Sequence, residues 1–225
     1  MNRVVLVTGA GGAAGTAVVR RLAAGGDTVI AVGRRKERLP VEAAEAVAAD
    51  LLDRPAVARL AEDLRERHGR IDGVVHLVGG WRGAPGFAAT DLADWDVLHD
   101  LLIRTLQHVT LEFEPLLRAS GDGRFAIVSA RSAASPSQRD AAYAAAKAAA
   151  EAWTLALADA LDGTGSAAVI FVVRALVDDE MRAARPDAAF HGFTDVRDLA
   201  ERVAGLWDRP AAELNGRRID LVDPA

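Results

Sequence analysis

Tyr143 and Lys147 stand four residues apart in the alanine-rich run from Ala141 to Leu161, so on a helix they share one face. Tyr143 is the only tyrosine in the chain. A phenol ordinarily releases its proton near pH ~10. A neighbouring ammonium favours the phenolate and brings that proton closer to working pH. Such a phenol hands a proton to a carbonyl oxygen as hydride arrives, or takes one from an alcohol. Alone, the pair reads better as two surface neighbours on a helix. Its weight comes from a second constellation at the start of the chain.

Residues 3 to 22 read RVVLVTGAGGAAGTAVVRRL. Val4 to Val7 form an apolar, β-branched run suited to a strand buried on both faces. Gly9, Gly11, Gly12 and Gly15 follow, and Ala17, Val18, Leu22 and Ala23 then recur at helical spacing. In a strand–turn–helix setting the glycines let the backbone turn sharply and let a pyrophosphate approach. The helix N-terminus offers the anion unpaired N–H groups and a partial positive charge.

The remaining elements must hold these two groups together. Thr28–Val32 reads as a second strand and Ala46–Ala48, leading into Asp50, as a third. Arg54–His68 carries Val57, Leu60, Ala61 and Leu64 on one face, an amphipathic helix ended by Gly69. Val74–Val78 predicts a fourth strand, closed by Gly79 and Gly80 and followed by a Gly- and Pro-rich loop over 81–90. One long helix is expected from about Leu92 to Leu117, bent near its end by Pro115. Phe125–Val128 reads as a fifth strand, and Asp140 as a cap for the helix 141–161. Ala168–Val173 is a sixth strand, 174–194 an aperiodic and mobile flap, 195–207 a helix and 217–222 a last strand. Strands alternating with helices from end to end predict one α/β domain over residues 1–225. Its core is a doubly wound, Rossmann-type parallel sheet of about seven strands flanked by helices.

Of the 225 residues 51% are apolar and 26% charged, an ordinary globular balance with ample length to bury a core. The net charge of −5 and the lack of a basic stripe argue against nucleic acid as a partner. Without cysteine there are no disulfides or thiolate sites, and the histidines lack HxxxH or HxH spacing, so no metal is expected. No apolar run approaches the ~20 residues of a membrane span. A strand that starts at Val4 leaves no room for a leader, so the expectation is a soluble, cytoplasmic protein without membrane attachment.

TGxxGxxG at Thr8–Gly15, the pair Asp50–Leu51, Gly79–Gly80 after the fourth strand and YxxxK at 143–147 occur in one order. With LNGRRIDLV at 214–222, their separations resemble the short-chain dehydrogenase/reductase family along essentially the whole chain. The resemblance implies that Tyr143 is the general acid/base and that Lys147 holds the nicotinamide ribose and tunes the tyrosine. It implies a dinucleotide along Thr8, Gly9, Gly12, Ala13, Ala14 and Gly15, with Asp50 and Leu51 around the adenine and Gly79, Gly80 and Val177 along its path. Members that prefer NAD carry an acid at the end of the second strand. Here Gly33, Arg34 and Arg35 stand there, and guanidinium groups bind a 2′-phosphate that an acid would repel. The cofactor expected is therefore NADP(H) in preference to NAD(H), although one or both arginines could simply point to solvent. The resemblance also implies a homodimer or homotetramer paired through helices 92–117 and 141–161.

The departures from the family pattern are as informative. The carbonyl-polarising serine, thirteen residues before the tyrosine, is Ala130, with Ser129 and Ser132 nearby. The helix asparagine that supports a relay water aligns with Leu102, and the NNAG element reads HLVG at 76–79. The Pro-Gly after the sixth strand is Arg174–Ala175, and Asp179 replaces the threonine that touches the carboxamide. Gly79–Gly80–Trp81 and Ala130–Arg131 are similar to dihydropteridine reductases, whose quinonoid substrates need less carbonyl polarisation. Trp81 is then a flat stacking surface, or else it packs its loop against the long helix. The expected substrate site is Trp81, Ser129, Arg131 and Ser132. Two functions remain open from sequence: an NADPH-dependent reductase of a small carbonyl or quinonoid molecule, and a catalytically quiet nucleotide-binding protein that kept the fold.

Overall fold

The structure, a computed structural model, describes residues 2–222. In chain order it contains β1 (Val4–Thr8), α1 (Ala13–Ala24), β2 (Thr28–Gly33), β3 (Glu45–Ala48), α2 (Arg54–His68), β4 (Gly73–His76), α3 (Leu92–His99) and α4 (Thr105–Ser120). There follow β5 (Arg124–Ala130), α5 (Ala141–Leu161), β6 (Ala167–Val173), β7 (Leu176–Val177), α6 (Asp179–Ala184), β8 (Thr194–Asp195), α7 (Val196–Ala204), α8 (Ala211–Leu214) and β9 (Arg218–Asp220). Seven strands form one parallel sheet in the order β3-β2-β1-β4-β5-β6-β9, and β7 and β8 pair separately.

Both faces of the sheet are dry because successive strand residues alternate between two cores. Leu6, Ile30, Val74, Phe125 and Ile170 pack with Leu60, Leu64, Phe113 and Leu161 of α2, α4 and α5. Their neighbours Val5, Val29, Val75, Val169 and Phe171 pack with Val18, Leu22, Leu199 and Val203 of α1 and α7. Such burial on both sides explains why the central strands read as continuous apolar runs. The chain builds outward from β1 to β3, then returns to place β4 on β1's other side. The crevice beyond the carboxyl ends of β1 and β4 is the switch point at which sheets of this kind bind ligands.

At the opposite end of the sheet Arg124 is fully buried, 2% exposed. Its guanidinium donates to the carbonyls of Gly123, Gly165, Leu206 and Arg209 and pairs with Asp122. The amphipathic helix ends as expected, Gly69 taking the left-handed conformation with φ 76°.

Four expectations are corrected. The long helix expected over 92–117 is one helical run from Leu92 to Ser120 that widens into a π-turn at Asp100–Arg104 between α3 and α4 and passes Pro115. Asp140 precedes α5 but does not cap it, because its carboxylate accepts from the backbone N–H and the hydroxyl of Ser137. The stretch 174–194 is built rather than aperiodic, with β7, α6 and the start of β8 in it, and Asp178 caps α6 through Met181 N. The C-terminal helix stops at Ala204, and Gly205–Asp208 continue as a tight 3-10 turn.

Candidate active site

The glycine turn is shaped by contact. Gly9 has φ 71°, and a Cβ there would lie 2.7 Å from the Leu77 carbonyl carbon. A Cβ on Gly15 would lie 2.4 Å from Gly9 O, so α1 can approach β1 only through glycine. Gly12 differs: a Cβ there would meet nothing closer than 3.5 Å, so its missing side chain leaves an open cradle. Gly12 is the N-cap of α1 and no side chain caps that helix. Its first N–H groups therefore face the cradle without an internal partner. Open space over Gly12, uncapped amides and the switch point together fit a dinucleotide pyrophosphate.

Two clefts meet at this turn. One is lined by Gly11, Gly12 and Ala13 together with Arg38 and, across from them, Arg197 of α7. The other, about 790 Å³, is lined by Ala14, Gly79, Gly80, Trp81, Ser132, Tyr143 and Lys147. A molecule laid over the turn from Gly12 to Ala14 reaches both. Of the basic residues after β2, Arg38 lines the first cleft; Arg34 and Arg35 are exposed beyond Gly33, outside its wall, and pair with no carboxylate among the described residues. Asp50 is exposed and accepts from Leu52 N, while Leu51 is buried and its carbonyl accepts from His108 Nδ1. Val177 is buried on β7.

Tyr143 and Lys147 share the inner face of α5. Lys147 is buried, its Nζ donates to Val128 O at 2.7 Å, and it lies 5.8 Å from the centre of the tyrosine ring. The ring packs on Leu98, Leu102 and Ile103. Thus the position of the missing asparagine is part of a hydrophobic wall behind the phenol. The π-turn presses Leu101 and Leu102 onto the two glycines after β4: a Cβ on Gly79 would lie 3.2 Å from Leu102 Cδ2, and one on Gly80 3.3 Å from Leu101 Cδ1.

The titration of the pair departs from the expected tuning. Burial, reinforced by the Asp140 carboxylate, pushes the Tyr143 phenol up to about 12. Burial pulls Lys147 down to about 8 against the opposing pull of Glu151. In the ligand-free chain desolvation outweighs the attraction between ammonium and phenolate, so the phenol is held protonated.

The two serines beside Ala130 have different fates. Ser129 is buried and donates to Glu151 Oε1 at 2.5 Å, while Arg218 holds the other carboxylate oxygen at 2.9 Å. Its hydroxyl is engaged. Ser132 lines the cleft, and its Oγ is shielded from solvent without any hydrogen-bond partner among the described residues. Arg131 pairs with Asp220, and Trp81 stands 63% exposed at the cleft mouth above Gly83. The tryptophan is therefore not packed into the interior.

Behind the cleft, His76 bridges Thr8 Oγ1 at 2.8 Å and Thr105 Oγ1 at 3.3 Å. Thr105 Oγ1 donates to Leu101 O, so it accepts from His76 Nε2–H, which leaves Nδ1 to accept from Thr8. Burial, helped by the Lys147 charge, lowers the imidazole to about 3 and keeps it neutral. The chain of bonds ties the end of β1 and the end of β4 to the π-turn. Glu151, Arg38 and Thr105 were not among the predicted site residues. Glu151 stands one helical turn after Lys147, a spacing readable in sequence; the other two are brought in by turns with no periodic signal.

Residues 3–189 match the short chain dehydrogenase family, and the chain belongs to it. It is 30% identical over 241 aligned positions to sulfoacetaldehyde reductase 2 of Chromohalobacter salexigens, covering 99% of this chain and 94% of that protein. Among solved structures it resembles the 3-ketoacyl-(acyl-carrier-protein) reductase of Brucella melitensis complexed with NADH, with TM-score 0.84, 24% identity and coverage of 98% and 96%. A Shigella flexneri short chain dehydrogenase complexed with NADP gives TM-score 0.84 at 22% identity, with coverage of 98% and 97%. The fold of the sheet and its flanking helices is that of these proteins, and the chain is an oxidoreductase of the NAD(P)-binding kind.

Proposed function

We propose that the protein is an NADPH-dependent reductase of small carbonyl compounds in which Tyr143 donates the proton. The observation that carries the reading is that Tyr143 and Lys147 line one cleft with Ala14 of the glycine turn. A protonated phenol can give its proton to the alkoxide that forms as hydride reaches a carbonyl. The name of the sulfoacetaldehyde reductase relative supports an aldehyde as the substrate.

The amides at the start of α1 would hold the pyrophosphate and Lys147 the ribose, with Val177 toward the carboxamide and Asp50 and Leu51 toward the adenine. Arg38 in the cleft wall would meet a 2′-phosphate, with Arg34 and Arg35 adding positive charge from outside that wall, which favours NADPH over NADH. NADPH, when bound, supplies the hydride. Tyr143 then protonates the substrate oxygen, and the Lys147 charge stabilises the phenolate left behind. Ser132, whose hydroxyl has no partner among the described residues, turns onto the substrate oxygen and does the work that Ala130 cannot. Trp81 closes the mouth over the substrate. The chain acts in the cytoplasm as a homodimer or homotetramer joined through α3, α4 and α5.

The test is consumption of NADPH against small aldehydes, dicarbonyls, quinones and pterins. Turnover is expected with an aldehyde or dicarbonyl and is abolished in Tyr143→Phe, which still binds NADPH. Tight binding of NADPH by the wild type with no turnover on any class would overturn the reading.

A further inference from the structure

The substrate end of the cleft is cationic in a protein whose net charge is −5. Arg131, Arg174 and Arg185 all line it, and its one carboxylate, Asp140, is engaged by Ser137. The three arginines are not equivalent. Arg131 is neutralised by Asp220 at 3.1 Å. Arg174 donates to the carbonyl of His191 at 3.0 Å, which fixes its position but leaves its charge uncompensated. Arg185, at the C-terminal end of α6, has neither a carboxylate nor any side-chain hydrogen-bond partner among the described residues. The other arginines of this region, Arg182 and Arg197, are each paired with Asp195, and Arg197 also with Asp179. Asp179 and Asp195 thus compensate Arg182 and Arg197, while Arg174 and Arg185 pair with no carboxylate among the described residues. Val173, Leu176, Met181 and Phe193 give the same cleft apolar lining.

We infer that the substrate is a short-chain aldehyde or ketone bearing an anionic end group, its tail held by Arg185 with Arg174 and its carbonyl directed to Tyr143. The inference rests on the reductase reading for the carbonyl and on the cleft alone for the anion. Arg185 is exposed at the cleft with no internal partner, so its guanidinium is free to pair with a carboxylate, sulfonate or phosphate that enters. The same charges would draw anions to the mouth and make encounter depend on ionic strength.

Two measurements on the full chain test this. Calorimetry with NADP+ present compares unreactive propanoate and ethanesulfonate with neutral propanamide. The anions are expected to bind and propanamide not to, and Arg185→Gln should weaken the anions by about tenfold or more. Arg185→Lys should recover part of that loss, since it keeps the charge. In turnover, the preference for succinic semialdehyde over butanal, taken as a ratio of kcat/KM, should collapse in Arg185→Gln. Equal binding of propanamide and propanoate would overturn the inference. So would an Arg185→Gln variant that loses NADPH affinity as much as anion affinity, because the cation would then serve the cofactor's phosphates. Anion binding without consumption of NADPH on any carbonyl would instead sink the reductase reading and leave the anion site standing.

Discussion

At the scale of single residues, the chemistry is set by what burial does to three polar groups. Tyr143 is held protonated, Lys147 is lowered and His76 is silenced. Lys147 gives a stability prediction. Its folded value, about 8, lies below the ordinary 10.5, so between these values the unfolded chain binds more protons. Raising the pH through that window therefore strengthens folding, by on the order of 3 kcal/mol if the whole difference is expressed. Chemical denaturation of the ligand-free protein at pH 7 and pH 10 should show this rise relative to Lys147→Met; parallel changes in the two would refute it. Ser132 gives the converse case. A shielded hydroxyl without a partner costs about 1–3 kcal/mol. Ser132→Ala should leave the melting temperature equal or higher while lowering kcat by about 10²-fold, the loss expected when a donor to a developing oxyanion is removed. Unchanged kcat would return the polarising role to another group. Tyr143 and Lys147 were legible in sequence because a four-residue helical spacing survives any packing. The raised phenol was not, since its cause is the leucine wall that tertiary structure places behind it.

At the scale of elements, the glycine turn separates shape from binding. Gly15→Ala should fold poorly, since its Cβ would meet backbone at 2.4 Å. Gly12→Ala has room and should keep its melting temperature within a few degrees, yet lose NADPH affinity by about tenfold or more as the methyl fills the cradle. Thermal melts beside nucleotide titrations would distinguish the two, and equal losses of stability would refute the distinction. The central strands and α1, α2 and α5 could be read from sequence because their apolar periodicity is the packing itself. The widening between α3 and α4 could not. A π-turn keeps the helical pattern of Leu98, Leu102 and Ile103 almost intact, and its cause lies elsewhere, in two glycines that admit its leucines and in the Thr105 hydroxyl that takes up Leu101 O. Turns of this kind concentrate at functional sites, and this one backs the phenol. The flap was illegible for a different reason: two-residue strands and a six-residue helix are too short to show a period.

At the scale of the whole molecule, apolar side chains remain on the outer faces of α3, α4 and α5. Leu92, Val97, Leu111 and Leu155 are exposed. Ala145 and Ala148 on α5 are exposed as well, small side chains of the kind that helix pairing between copies would need. Light scattering should give a dimer or tetramer for the wild type and a smaller species for Leu111→Glu with Leu155→Glu; a monomeric wild type would refute the pairing. The molecule is also polarised along its strands. No helix among the described residues is long and apolar enough to cross a membrane, and the sheet ends in two unlike edges. Nucleotide cradle, phenol and arginines gather at one. At the other, the guanidinium of Arg124 binds four carbonyls from three separate stretches of chain. Loops around the cleft can therefore vary without disturbing the bonds by which one arginine ties the far turns of the sheet together.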